Sequence, residues 1–262
     1  MKPSALKTSR RRFCALSAGT IAAGILGSSC QGFDDSLMVN SGRLIVRPHT
    51  SNKSASIGRT KLGLDRDPDR DAILQLPASQ SNSPLPLMIM LHGAGQNAED
   101  MFYYLGSSPN EAGVALLVPH SRESTWDAIG GNFGPDVLFL NHALERVFEI
   151  AEIDSTRLTI GGFSDGASYA LSLGLINGDL FPRVVAFSAG FVVEGIPHGK
   201  PSIFISHGIN DRILPIDACG RRIVADLKNR GYDITFREFT GGHEIPESVS
   251  KEALSWTVED HS

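Results

Sequence analysis

The chain has 262 residues, 41% hydrophobic and 20% charged, with 24 basic and 29 acidic side chains and a formal charge of −5. That length fits one α/β domain or two small ones, and the composition excludes a disordered or collagen-like chain. The acidic balance argues against a nucleic-acid partner, whose binding runs on Lys and Arg neutralising phosphates, and no apolar run reaches the ~20 residues of a membrane helix.

Residues 1–30 read as an export signal. Lys2 and Lys7 precede Ser9-Arg10-Arg11-Arg12-Phe13, and a weakly apolar run rich in Ala and Gly follows from Cys14 to Leu26. That run is too short to span a bilayer and has the build of a signal h-region. The paired arginines are similar to a twin-arginine export signal, with an Arg-rich general secretory signal as the alternative. Leu26-Gly27-Ser28-Ser29-Cys30 resembles a bacterial lipobox, with Leu26 one place further from the cysteine than the pattern wants. Cys30 is thus either a lipid-anchored mature N-terminus or an incidental residue beside a cleavage site. With Cys14 and Cys30 in the leader, Cys219 is the one cysteine left, so no disulfide framework is expected.

Residues 31–59 read as a polar tether carrying an edge strand at Leu44–Arg47, and residues 60–262 as the folded domain. Asp65, Asp67, Asp69 and Asp71 alternate, but a calcium loop starting at Asp65 needs Gly at 70 and Glu at 76, where the chain has Arg70 and Leu76. A solvated turn is expected there, and no metal.

From residue 72 the pattern is regular. Strands are expected at Ala72–Leu76, Leu85–Leu91, Val114–Val118, Arg157–Gly161, Val184–Phe187, Ile203–Ser206 and Ile234–Phe239. Helices are expected at Ala98–Leu105, Asp136–Ala151, Asp165–Ile176, Asp217–Arg230 and Pro246–Val258. Leu85–Leu91 is nearly all apolar, as strands buried on both faces are. Alternating strands and helices predict one mainly parallel sheet covered on both faces.

Gly162-Phe163-Ser164-Asp165-Gly166 matches G-x-S-x-G and falls between an expected strand and an expected helix, where a nucleophile elbow belongs. A Ser hydroxyl is a weak nucleophile until a base takes its proton. Of the eight histidines, His243 directly follows the last expected strand and is the candidate base; His207, at the end of an earlier strand, reads as structural. Asp211, just past Ile203–Ser206, is the candidate acid that orients the imidazole. Asp217 competes, but as a helix-opening residue it has a capping reason to be there. Two backbone N–H groups must face the developing oxyanion. One is that of Asp165. The other is that of Ala94, in Leu91-His92-Gly93-Ala94-Gly95 after a buried strand. Trp126 and Phe133, in the loop Arg122–Asp136, are candidate walls of a substrate crevice, because loops at the carboxyl ends of strands line such crevices; packing within the loop is the competing reading.

These motifs, with His207-Gly208-Ile209-Asn210-Asp211 and Gly242-His243-Glu244-Ile245-Pro246, resemble the α/β-hydrolase serine esterases, in particular the compact group of carboxylesterases, dienelactone hydrolases and polyhydroxybutyrate-depolymerase-like enzymes. The likeness runs from about residue 60 to 258. It implies an α/β-hydrolase fold and cleavage of a small-molecule or polymer ester through an acyl-Ser164 intermediate, with no cofactor. Dienelactone hydrolases use Cys as nucleophile, and Ser164 stands in that place here. A peptidase or amidase on the same fold, and a non-catalytic exported binding protein, are the competing readings. The short stretch Ser188–Ser202 leaves no room for a multi-helix lid, so a solvent-open site is expected.

Overall fold

Apolar side chains alternate between the two faces of the central strands, and that alternation sets the architecture. The structure, a computed structural model, describes residues 39–50, 56–78 and 83–259. The stretch read as an export signal, with its lipobox-like end, lies outside the described residues. Eight strands form one sheet in the order β1-β2-β4-β3-β5-β6-β7-β8. These are β1 (Gly58–Lys61), β2 (Ile73–Leu76), β3 (Leu85–Leu91), β4 (Ala115–Val118), β5 (Ile153–Phe163), β6 (Arg183–Phe187), β7 (Ser202–Gly208) and β8 (Ile234–Phe239). The first two pairings, β1 with β2 and β2 with β4, are antiparallel and the other five are parallel.

Leu87, Ile89 and Leu91 of β3 enter one core with α3 (Pro135–Ile150), α4 (Asp165–Ile176) and α5 (Gly220–Asn229). Met88 and Met90 enter the other, beneath α1 (Ala98–Leu105) and α6 (Glu247–Val258). A single turn, α2 (Ser108–Glu111), follows α1. Helices thus cover both faces, as a parallel sheet requires. The parallel strands end on one side, where the loops after β3, β5, β7 and β8 converge.

Several boundaries differ from the sequence reading. Leu44–Arg47 is not a strand. Its backbone is extended, but the Leu44 N–H donates to Asn177 Oδ1 (2.8 Å), and those of Ile45 and Val46 donate to Asn141 Oδ1 (3.0 Å each). Two buried asparagine amides supply the acceptors that a neighbouring strand would have given. Leu44 is fully buried, and Arg43 and Arg47 both reach Asp179 at 2.6 Å, so this stretch straps the domain rather than tethering it. The edge strand is β1 instead. Helix α5 begins at Gly220, because Cys219 and Arg221 first close a wider turn onto the carbonyls of Pro215 and Ile216 (3.0 and 2.9 Å). Strand β5 starts four residues early, at Ile153, opposite Leu85 across a register shift.

Candidate active site

The strand-to-helix turn at Ser164 is built from backbone that has no room for side chains. A Cβ on Gly162 would lie 2.3 Å from the Gly166 carbonyl oxygen, and one on Gly166 would lie 2.2 Å from that of Leu91. Ser164 itself adopts φ 56°, a left-handed conformation costing a non-glycine residue roughly 1–3 kcal/mol. Its N–H donates to Phe187 O (2.9 Å), which fixes the turn against β6. The side chain stands at the carboxyl ends of the parallel strands, at the head of α4.

His243, in the loop after β8, places Nε2 2.8 Å from Ser164 Oγ and Nδ1 2.7 Å from Asp211 Oδ2. An ionised carboxylate only accepts, so Nδ1 carries the proton and Nε2 is left to accept from the serine. The imidazole side chain is 15% exposed and packs against the Phe163 ring at 4.8 Å. Asp211 is buried. Burial alone would raise its pKa, but the N–H groups of Leu214 (2.8 Å) and Ile213 (2.9 Å) on Oδ1, with His243 on Oδ2, outweigh it and hold the carboxyl below its usual range. Asp217 does not share this position: its exposed carboxylate pairs with Arg221 at 2.8 Å. His207 is fully buried beneath Asp211, its Nε2 2.7 Å from Leu214 O.

On the other side of Ser164, the loop after β3 presents its backbone. The Gly93 N–H donates to Gln96 Oε1 (3.0 Å) and the Gly95 N–H to Ser124 O (2.8 Å), while the Ala94 N–H between them takes up neither partner. His92 explains the orientation. Its Nε2 accepts the Ser121 N–H (3.1 Å), so Nδ1 carries the proton and donates to Gly93 O (2.8 Å). Gly93 C=O and Ala94 N–H belong to one trans peptide, so a carbonyl held toward His92 turns that N–H the opposite way. Burial pulls the His92 pKa down to about 4, which keeps the ring neutral. The Asp165 N–H, first in α4, has no intrahelical acceptor. Its carboxylate is held by Thr125 Oγ1 (2.8 Å).

Trp126 and Phe133 are not crevice walls. Trp126 is fully buried, stacked on Tyr169 (5.3 Å, 18°), with Nε1 donating to His92 O at 2.8 Å; Phe133 is 7% exposed and packs on the same tyrosine. The loop folds inward because Asp136 takes the N–H groups of Arg122 and Asp127 (2.6 and 2.8 Å), while Tyr169 donates to Asp127 (2.9 Å). Burial, with Asp127 beside it, pushes the Asp136 pKa up to about 6.

The aromatic surface that is exposed lies elsewhere. Tyr103 is 84% exposed beside a cleft of about 380 Å³ lined by Tyr104, Ser107, Ile245 and Glu247. Tyr104 packs on Phe163, and its hydroxyl accepts from Gln96 Nε2 (2.9 Å). Ile209 and Ile213, on either side of Asp211 in the chain, are also exposed. The stretch between β6 and β7 contains no helix. Among the described residues no cluster of three or more His, Cys, Asp or Glu side chains is placed to hold a metal ion.

Sequence reasoning missed His92, Gln96 and the Ser121–Ser124 segment as the frame of this loop. His92 carried a signal, since it adjoins Gly93-Ala94-Gly95.

The phospholipase/carboxylesterase family matches residues 137–257. A protein named "Probable feruloyl esterase C" from Aspergillus niger is 27% identical over 56% of this chain, which spans 57% of that protein's length. Among solved structures, the Bacillus cereus carboxylesterase is similar with a TM-score of 0.56 at 20% identity, covering 71% of this chain and 92% of that one. The fluorophosphonate-binding serine hydrolase F of Staphylococcus aureus is similar with a TM-score of 0.61 at 17% identity, covering 79% and 100%. The chain is an α/β-hydrolase by fold, and within that fold it resembles the serine esterases.

Proposed function

We propose that the protein hydrolyses carboxylic esters through an acyl-Ser164 intermediate. The observation that carries this is the hydrogen-bonded series Ser164 Oγ, His243 and Asp211, with spacings of 2.8 and 2.7 Å, mounted on a strained turn at the strand ends. Ser164 Oγ attacks the acyl carbon as its proton passes to His243 Nε2. The oxyanion takes hydrogen bonds from the N–H groups of Ala94 and Asp165. His243 then returns the proton to the departing alcohol, and water repeats the sequence on the acyl-enzyme. Asp211 stabilises the imidazolium that forms in each half.

Trp126 and Phe133 are buried and no helix stands between β6 and β7, which supports a shallow, open crevice at Ser164. Each buried CH₂ contributes ~0.8 kcal/mol, so a crevice that buries few of them favours short acyl groups or esters of a bulky alcohol. The names of the relatives add ferulate esters to the compounds to be tried. The test is a panel of aryl esters from acetyl to palmitoyl, an alkyl ferulate and an aminopeptidase substrate. Turnover should be highest from acetyl to butyryl, and Ser164→Ala should lower it by roughly six orders of magnitude. Near-native turnover by that variant overturns the reading; a kcat/KM rising steadily to palmitoyl overturns the shallow crevice.

Residues 1–30 are proposed as an export signal preceding a domain at 60–262, with Cys30 as a lipid anchor. No helix among the described residues is long and apolar enough to cross a membrane. Arg10→Lys with Arg11→Lys should retain the protein in the cytoplasm, and Cys30→Ser should release it from the membrane fraction.

A further inference from the structure

Two histidines, not one, face the Asp211 carboxylate. His243 Nδ1 lies 2.7 Å from Oδ2, and His207 Nε2 lies 3.3 Å from the same oxygen. His207 is on β7, four residues before Asp211, with its side chain fully buried. Its Nε2 therefore meets two groups that can only accept, Leu214 O at 2.7 Å and Asp211 Oδ2 at 3.3 Å. A ring nitrogen between two acceptors must carry the proton. Nδ1 has no hydrogen-bond partner among the described residues and faces Gly220, where a Cβ would come within 2.7 Å of it. No acceptor is there to hold a second proton, and burial lowers the ring's pKa in keeping with that. His207 is thus a neutral Nε2–H tautomer that donates to Leu214 O, with Asp211 Oδ2 3.3 Å from the same nitrogen.

Leu214 closes the arrangement. Its carbonyl accepts from His207, and its N–H donates to Asp211 Oδ1 at 2.8 Å. The turn from Asp211 to Leu214 is clamped at both ends by one side chain from the strand below. We infer that His207 is a positioning residue that holds Asp211 under His243 and weakens that carboxylate's pull on the His243 proton. This rests on the reading of Ser164, His243 and Asp211 as the reacting series. The partial positive charge of this neutral N–H beside Asp211 stabilises the carboxylate and disfavours a positive charge on His243. Removing it leaves Asp211 freer to attract the imidazolium, so the His243 pKa rises. The other charged or titratable groups nearby are Cys219 and Arg222 from the entry to α5, Glu238 of β8 bonded to Arg221, and Glu244, which accepts the Gly242 N–H (3.0 Å). His207→Phe or His207→Gln leaves all of them in place.

The test compares those two variants, because Gln can present an N–H near the position of Nε2 and Phe cannot. Histidine NMR titration of the full chain reads the His243 pKa and the His207 tautomer without any substrate. The expected result is a His207 ring protonated at Nε2 alone at neutral pH. In His207→Phe the His243 pKa should be at least half a unit higher, with His207→Gln close to native. In ester assays, kcat of His207→Phe should fall about tenfold with KM within twofold, and the acidic limb of kcat/KM should move up with the NMR value. A His207 protonated at Nδ1, an unmoved His243 pKa in His207→Phe, or a Gln variant shifted as far as Phe overturns the inference. If the native protein hydrolyses no ester, the reaction assignment falls, while the titration still decides the role of His207.

Discussion

The two loops that flank Ser164 are held in opposite ways. Around Ala94, the loop after β3 is held by neutral groups: His92 between Ser121 and Gly93, the Trp126 indole on His92 O, and Gln96 on the Gly93 N–H. The loop after β7 is organised around a charge, with the Asp211 carboxylate gathering Ile213, Leu214 and His243. The difference follows from what each side must offer. An oxyanion donor has to be a dipole aimed where negative charge develops during the reaction. The acid must already be ionised and held, because its value lies in meeting a positive charge that appears only during the reaction. Preorganisation here means an unspent N–H on one side and a fully coordinated anion on the other.

Breaking the charged side should cost most. Asp211→Asn keeps the shape but offers a side-chain N–H toward His243 and favours the wrong tautomer, so kcat should fall by about four orders of magnitude. Asp217→Asn should leave kcat unchanged, its carboxylate being engaged with Arg221 at the surface. Steady-state kinetics on a short aryl ester checks both; equal losses would mean that the acid role is shared.

Breaking the neutral side should cost less. His92→Phe fills the buried space but releases Gly93 O and the Ser121 N–H, so the Ala94 peptide is free to rotate. One oxyanion donor is worth about two orders of magnitude in kcat, and that is the loss expected, with KM little changed. An unimpaired variant would show that the Ala94 peptide is oriented by Gln96 and Ser124 alone.

The smallest effect is on stability, and it sharpens the contrast between neutral and charged supports. His92 has a folded pKa of about 4 against 6.5 for the free side chain, so the unfolded chain binds its proton first. Its contribution is intact above pH 6.5 and is lost as the pH falls toward 4, by about 3 kcal/mol in full. His207, also lowered by burial, acts in the same direction. Asp136, raised to about 6, works against them between its unfolded value and 6. Thermal melts should therefore drop between pH 7 and 4.5, and less steeply in His92→Phe; parallel curves would remove His92 from the account.

The elements that sequence pattern located best are those whose cause is local. Leu85–Leu91, Ala98–Leu105, Asp165–Ile176 and Ile234–Phe239 match the observed bounds residue for residue, since each is a short, consistent run bounded by turn-forming residues. Ser164, Asp211 and His243 were legible for a related reason: each sits at a strand end whose position the pattern already gave. What failed depended on distant partners. The β-branched, apolar run Leu44–Arg47 reads the same whether a strand or two asparagine amides receive the N–H groups. A loop at the strand ends could open Trp126 to solvent or fold it in, and the outcome turns on Tyr169 and the Asp127–Asp136 pair. The Asp65–Asp71 alternation also resolved only in three dimensions. Asp65 meets Arg122, while Asp71 turns inward to the N–H groups of Gly63 and Leu64.

The strap at residues 43–47 has a consequence for the order of events during synthesis. Its anchors lie 133 residues downstream for Leu44 and 96 for Ile45, so they leave the ribosome long after the strap does. Until Asn141, Asn177 and Asp179 have emerged and α3 and α4 have packed, those N–H groups and the Leu44 side chain have no place to go, because non-local contacts form only after the intervening loop closes. The strap therefore seats late and works as a timer. Leu44 reaches its buried place only once the two helices that hold its neighbours' acceptors are in position.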